Sequence, residues 1–163
     1  MRYFFTLITF IVFFSGCSHN NAFTNFHLNK EQERSISSLQ SSKVKLGERV
    51  DGVFSAIYLN EVYPDIFNQY EYFYVYLYLK DDKKMYDPNS LDDIETILKL
   101  NGKAPIKVKQ LPPENQFSNL TLTSSRWNKY YIVAFKESGK KLNLTLNSGA
   151  AKSAVLKYQK DEQ

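Results

Sequence analysis

Residues 71–80 read EYFYVYLYLK and show the strongest alternating pattern in the chain. Every second position from Phe73 to Leu79 is apolar, and tyrosines fill the positions between them. Such alternation is typical of a strand with one buried face, and aromatic and β-branched residues favour strands. We therefore predict a strand whose second face carries a row of tyrosines, a possible binding face formed by Tyr72, Tyr74, Tyr76 and Tyr78. The alternative is that these rings lie under a loop or under the segment that precedes the domain.

Shorter segments on both sides of this strand alternate in the same way and are separated by turn-forming residues. About seven or eight short strands of this kind favour an all-β, antiparallel β-sandwich, with a small barrel as the alternative. The layout is similar to immunoglobulin-like modules in pattern only, since their Cys…Trp…Cys spacing is absent. The predicted strands lie at residues 53–59, 71–80, 106–108, 120–122, 127–136, 142–146 and 154–158.

Residues 90–100 allow two interpretations. Ser90, with Asp93 three positions later, can cap a short helix. The alternative is a strand that ends at Leu100, turns at Asn101-Gly102 and returns as a second strand. Asn-Gly is the strongest two-residue hairpin sequence because both positions require a positive φ. We favour the hairpin and leave open one helical turn before it.

The N-terminus has the composition of an export signal. Met1-Arg2 precedes an almost wholly apolar run from Tyr3 to Phe14, whose 12 residues are too few to span a bilayer as a helix. The run ends in Phe14-Ser15-Gly16-Cys17, which resembles the lipobox of bacterial lipoproteins. That resemblance implies acylation of Cys17 and cleavage before it, although lipoboxes usually carry leucine where Phe14 stands. Ser18 implies sorting to the outer membrane where the cell has one.

Three segments follow from this interpretation. Residues 1–16 form the signal peptide, residues 17–42 the lipidated cysteine and a flexible tether, and residues 43–163 the β-sandwich domain. The tether is polar and rich in Ser and Asn, which favours a coil. Its scattered apolar residues leave an alternative, in which part of it packs on the domain and Lys30 to Leu39 form a short helix.

The residue types used in catalysis are scarce. The two histidines, His19 and His27, both lie in the tether, and the single cysteine lies in the lipobox. A Ser-His-Asp or Cys-His mechanism and a histidine zinc site are therefore not expected. The carboxylate pairs Asp81/Asp82 and Asp92/Asp93 are interpreted as turn residues. We expect no enzymatic activity, no metal and no cofactor.

The formal net charge of +4 is too mild to indicate a nucleic-acid partner. Lys103, Lys107 and Lys109 alternate along a predicted strand, which favours a charged edge that resists aggregation. The alternative is contact with an acidic polymer.

The sequence therefore predicts a lipoprotein of the bacterial cell envelope that is held to a membrane by its lipid. We expect a non-enzymatic interaction or accessory module with an envelope protein as its partner. The alternative is a glycan- or lipid-binding lipoprotein that uses the tyrosine-rich sheet face.

Overall fold

The computed structural model describes residues 29–89, 95–121, 125–136 and 139–160. Two α-helices, α1 (Lys30–Ser38) and α2 (Leu59–Val62), and a 3-10 turn at Ser118–Leu120 lie within them. The strands are β1 (Gln40–Leu46), β2 (Arg49–Tyr58), β3 (Glu71–Leu79), β4 (Thr96–Leu100), β5 (Lys107–Leu111), β6 (Lys129–Phe135), β7 (Lys141–Ser148), β8 (Ala151–Ser153) and β9 (Leu156–Gln159).

All nine described strands belong to one antiparallel sheet, in the order β4-β7-β8-β1-β2-β3-β6-β5. Strand β9 pairs with β7 beyond the point where β8 stops, so β8 and β9 act as one interrupted strand between β7 and β1. The mostly β, antiparallel architecture is confirmed. The strands form a single curled sheet, whereas we expected the two separate sheets of a sandwich.

The main core lies on the inner face of this curl. Phe73, Val75 and Leu77 of β3 are almost completely buried there, as the alternation predicts. They pack with Leu142, Leu144 and Leu146 of β7 and with apolar residues of the other strands in one hydrophobic cluster. Because both halves of the sheet contribute to the same cluster, curling the sheet buries its apolar face without a second sheet.

The Asn101-Gly102 turn forms as predicted, but the hairpin does not continue from it. Asn101 and Gly102 have φ values of 48° and 81°, and Leu100 and Lys103 exchange backbone hydrogen bonds of 3.0 and 2.9 Å. Strand β4 then pairs with β7, and β5 pairs with β6 at the opposite edge of the sheet. Pro105 interrupts the ladder because it has no N–H to donate. Residues 96–100 are strand, while the helical turn considered at residues 90–94 lies outside the described residues.

Helix α1 occupies a segment that we assigned to the flexible tether. Asn29 caps it: its side chain accepts a 2.7 Å hydrogen bond from the Gln32 backbone, and the Gln32 side chain accepts one of 3.1 Å from the Asn29 backbone. Ser35 and Ser38 are buried against the domain. The predicted boundary at Lys43 lies inside β1. The helix agrees with the alternative of a short helix at Lys30 to Leu39, whereas the strand from Gln40 was not predicted. Residues 17–28 lie outside the described part of the chain.

Candidate functional site

The tyrosine face of β3 lies largely beneath a second hydrophobic layer. Tyr74 is fully buried, Tyr72 and Tyr76 are half-buried, and Tyr78 retains 43% of its exposure. The cover consists of apolar side chains from α2 and from the segment around the 3-10 turn, including Leu59, Val62, Phe117 and Leu120. An open platform of four tyrosines is therefore not what the structure shows, and Tyr78 is the one exposed tyrosine of the row.

Tyr74 is held in this layer by aromatic and polar contacts. Its ring stacks on Tyr130 at a centroid distance of 6.2 Å and contacts Phe117 at 5.3 Å. Asn115 donates a 3.4 Å hydrogen bond to the Tyr74 hydroxyl. Burial raises the pKa of Tyr74 to about 12, so the phenol stays neutral at physiological pH. Tyr74 is thus a structural residue.

A half-open cleft of about 590 Å³ lies at the Tyr72 end of the layer. Phe67 lines it and contacts Tyr72 at a centroid distance of 5.0 Å, which joins the cleft to the tyrosine row. The lining residues come from α1, from the end of β2 through to the start of β3, and from the end of β9 and the residue after it: Arg34, Tyr58, Asn60, Glu61, Pro64, Phe67, Asn68, Glu71, Gln159 and Lys160.

Glu71 is the only Asp, Glu, Lys or Arg that is buried within the described residues, at 5% exposure. The Tyr58 hydroxyl donates to one carboxylate oxygen, and the Lys160 ammonium group pairs with the other. Burial, followed by the hydrogen bond to Glu71, raises the pKa of Tyr58 above its ordinary range. Because both oxygens of Glu71 are occupied, this cluster ties the ends of β2, β3 and β9 together and does not resemble a free general base.

Asn60 shapes the same cleft through its amide. It donates to the Tyr70 carbonyl at 2.6 Å and accepts from the Tyr72 N–H at 2.8 Å, which fixes the segment before β3. Arg34 and Glu61 add charges of both signs to the lining, and Phe67 adds an aromatic wall. A cleft of this composition can bind a polar ligand without covalent chemistry.

The remaining residues singled out in the sequence lie away from this cleft or outside the described part of the chain. Cys17, His19 and His27 lie outside the described residues. Asp82 pairs with Lys129, which lowers the pKa of its carboxyl, and Asp81 lies 3.7 Å from Lys83. Both aspartates follow β3 after Lys80, in keeping with their interpretation as turn residues, while Asp92 and Asp93 lie outside the described residues.

Two of the three lysines of the predicted charged edge lie where that interpretation places them, whereas Lys103 lies in the turn after β4, at the opposite edge of the sheet. Lys107 and Lys109 are exposed on β5, which is an edge strand of the sheet.

Sequence reasoning missed Glu71, although one feature pointed to it. Glu71 has the same parity in β3 as Phe73 and Val75, so the alternation places a carboxylate on the core side. A buried carboxylate requires partners. Lys160 supplies one from 89 residues away, which no local pattern predicts.

Within the residues described, no group of three or more His, Cys, Asp and Glu side chains could hold a metal ion. In the same part of the chain, no helix is both long and apolar enough to cross a membrane.

No protein-family model matches the chain, and neither a curated protein nor a solved structure matches it.

Proposed function

We propose that this chain is a bacterial lipoprotein that is exported, acylated at Cys17 and held by its lipid at the cell envelope. The observation that carries the proposal is the order of the N-terminal residues: an apolar run of 12 residues followed directly by Phe14-Ser15-Gly16-Cys17. Two or three acyl chains on one cysteine would make release from a membrane slow. Ser18 favours the outer membrane as the destination.

The described domain begins close to the proposed lipid. Residues 18–29 separate Cys17 from the first residue of α1, which makes twelve residues. Even fully extended, such a segment reaches only about 40 Å. The domain would therefore work near the membrane surface, and closer to it than a tether extending to residue 42 would allow.

The domain is proposed to act as a non-enzymatic interaction or accessory module of an envelope assembly. Support comes from exposed apolar side chains near the open end of the tyrosine row. Tyr78 and Val53 are cross-strand partners with 43% and 41% exposure, and Trp127, shortly before β6, is 82% exposed. Exposed tryptophan and tyrosine are enriched where proteins bind each other. We also propose that the two halves of the single curled sheet act like the two layers of a β-sandwich, since both pack on the same core cluster.

Replacing Cys17 by Ser tests the anchor. In cells fed a labelled fatty acid, the unchanged protein is expected to carry the label and to enter the detergent phase on phase partitioning. The Cys17→Ser variant is expected to lose the label and to leave that phase. Ser15→Ala keeps a small residue and serves as the matched control. A Cys17→Ser protein that still carries the label would contradict the proposal.

Crosslinking in intact cells tests the partner. We expect one envelope protein at near-equal abundance with the tagged chain, and we expect its yield to fall in Trp127→Ala. Ile66→Ala is the matched control, since Ile66 is 71% exposed but lies in the segment between β2 and β3. Equal loss in both variants, or no partner with either, would count against an interaction module.

A second candidate function is glycan or lipid binding through the tyrosine-rich face. The cleft at the Tyr72 end favours it, because an aromatic wall and charged groups lie side by side there. Native mass spectrometry of protein purified from its own envelope is expected to show a bound sugar or lipid that Arg34→Gln loses. If the purified protein carries no ligand, glycan or lipid binding is excluded and the interaction module remains as the proposed function.

A further inference from the structure

The half of the sheet formed by β4, β7, β8, β9 and β1 has an unusual charge distribution. These five strands contain no Asp or Glu. They carry six lysines, which we call the lysine face: Lys43, Lys45, Lys99, Lys141, Lys152 and Lys157.

The alternation of the strands places these lysines on the outer side of the sheet. In β7, Leu142, Leu144 and Leu146 are fully buried in the core, while Lys141 is exposed on the opposite side. In β1, Val44 is fully buried between Lys43 and Lys45, which are both exposed. Lys152 and Lys157 are exposed as well, and Lys99 is half-exposed. Six positive charges thus share one outer face.

The lysines lie on four adjacent strand positions, so they form a two-dimensional array. Lys45 and Lys152 are direct cross-strand partners, and Lys157 faces Asn143 across the neighbouring pair. Directly opposed side chains have Cβ atoms about 5 Å apart, and like charges there repel. An anionic surface that lies against the array would offset this repulsion and lower the electrostatic energy of the lysines.

Among the described residues, the carboxylates nearest this face lie at its margins, and Asp51, in the neighbouring strand β2, is paired with Arg49. Glu48 is in the turn after β1, and Glu95 precedes β4 and accepts a 2.8 Å hydrogen bond from the Lys84 N–H. Within the described part of the chain, none of the ion pairs involves a lysine of this face. Among the described residues, therefore, no carboxylate neutralises the positive charge of the face.

We propose that the lysine face docks on the anionic headgroups of a phospholipid membrane. A lysine ammonium is a point charge on a flexible stem, which suits mobile phosphates better than one fixed ligand. Clusters of four to eight basic residues held near a membrane are typical of anionic-lipid contacts. An array spread over adjacent strands matches a surface, whereas a linear polymer needs only a row of charges. The proposal builds on the lipid anchor, because a short link to Cys17 keeps this face within reach of headgroups.

Vesicle binding tests the face without the anchor. The chain from Ser18 onward keeps every contact described here and carries neither Cys17 nor the apolar run. It is expected to bind vesicles of equal parts phosphatidylcholine and phosphatidylglycerol, and not vesicles of phosphatidylcholine alone. Binding is expected to weaken steeply as salt is added, since screening acts over about 10 Å at about 0.1 M ionic strength.

Charge removal then localises the contact. Each lysine near an anionic surface contributes about fivefold in affinity, so Lys45→Gln, Lys152→Gln and Lys157→Gln together should weaken vesicle binding about 100-fold. The matched control removes the same charge elsewhere with Lys30→Gln, Lys107→Gln and Lys109→Gln, and should retain most of the binding. Thermal melting checks that both variants are folded.

Three results would overturn the proposal. Equal binding to neutral vesicles would exclude headgroup charge as the cause. Equal weakening by the two triple variants would mean that only net charge matters. Tighter binding to soluble polyphosphate than to vesicles, with loss in the first variant only, would make the partner an acidic polymer. None of these results depends on acylation, so the anchor and the lysine face can fail separately.

Discussion

The inner faces of the two halves of the sheet are both apolar, whereas their outer faces differ in residue type. Strands β2, β3 and β6 turn aromatic and aliphatic side chains outward, and α2 and the 3-10 turn cover them in a second hydrophobic cluster. The half that contains β7 and β1 turns lysine, asparagine and threonine outward and leaves them in solvent. Both halves alternate with the same period. The residue type at the outward positions therefore decides whether a sheet face acquires a cover or stays open for a surface partner.

The largest expected effect comes from opening the covered half. Replacing the fully buried Tyr74 by Ala leaves a cavity between Phe117 and Tyr130, and should lower the free energy of unfolding by about 3–5 kcal/mol. Tyr78→Ala, at the exposed end of the same row, should cost about 0.5 kcal/mol or less. Urea unfolding measures both. Equal, small losses would mean that the cover does not pack on Tyr74.

Alkaline pH should weaken the protein through its buried phenols. Burial raises the pKa of Tyr74 and of Tyr131 from 10.0 to about 12, and it raises the pKa of Tyr58, Tyr76 and Tyr158 as well. A group with a raised folded pKa stabilises the fold below its unfolded pKa, and this contribution disappears as the pH rises through the folded value.

The free energy of unfolding should therefore be insensitive to tyrosine ionisation up to about pH 9 and should fall between about pH 10 and 12. Urea midpoints across that range measure the fall. Tyr74→Phe should make it shallower, because it removes one of the buried phenols whose pKa is raised. A fall that is just as steep in Tyr74→Phe would show that Tyr74 is not the buried phenol described.

The smallest expected effect comes from the open half. Lys152→Gln removes the like-charge neighbour of Lys45, and should stabilise the domain by about 0.2–1 kcal/mol at low salt. The gain should vanish as salt is raised, because screening already weakens the repulsion. Lys109→Gln is the control on β5. Melting temperatures at low and high salt measure both variants, and a Lys152→Gln protein that is less stable at low salt would contradict the repulsion.

The sequence predicted local features better than long-range ones. The β3 alternation, the strand ending at Leu100 and the Asn101-Gly102 turn each depend on neighbouring residues, and the structure has them. The pairing of β4 with β7 depends on which strands meet across the curl, which alternation does not encode. The same limit applies to the candidate site, since Glu71 meets Lys160 only after the sheet has curled.

The cover of the tyrosine row shows a second limit. Alternation predicted two different faces for β3 but could not tell an exposed aromatic face from one buried under another layer. The capping residues Asn29 and Gln32 were visible in the sequence, and they mark a helix inside the polar stretch that we assigned to the tether. Recognising that capping box would have moved the domain boundary and indicated a possible cover for the tyrosines.

The central claim is that lipid on Cys17 holds this domain at a membrane, and the mass of the N-terminal peptide tests it most directly. Protein extracted from its own envelope is expected to yield a peptide that begins at Cys17 and carries a diacylglycerol and a further acyl chain. A peptide that contains residues 1–16 joined to an unmodified Cys17, or one that begins elsewhere with no lipid, would contradict the account.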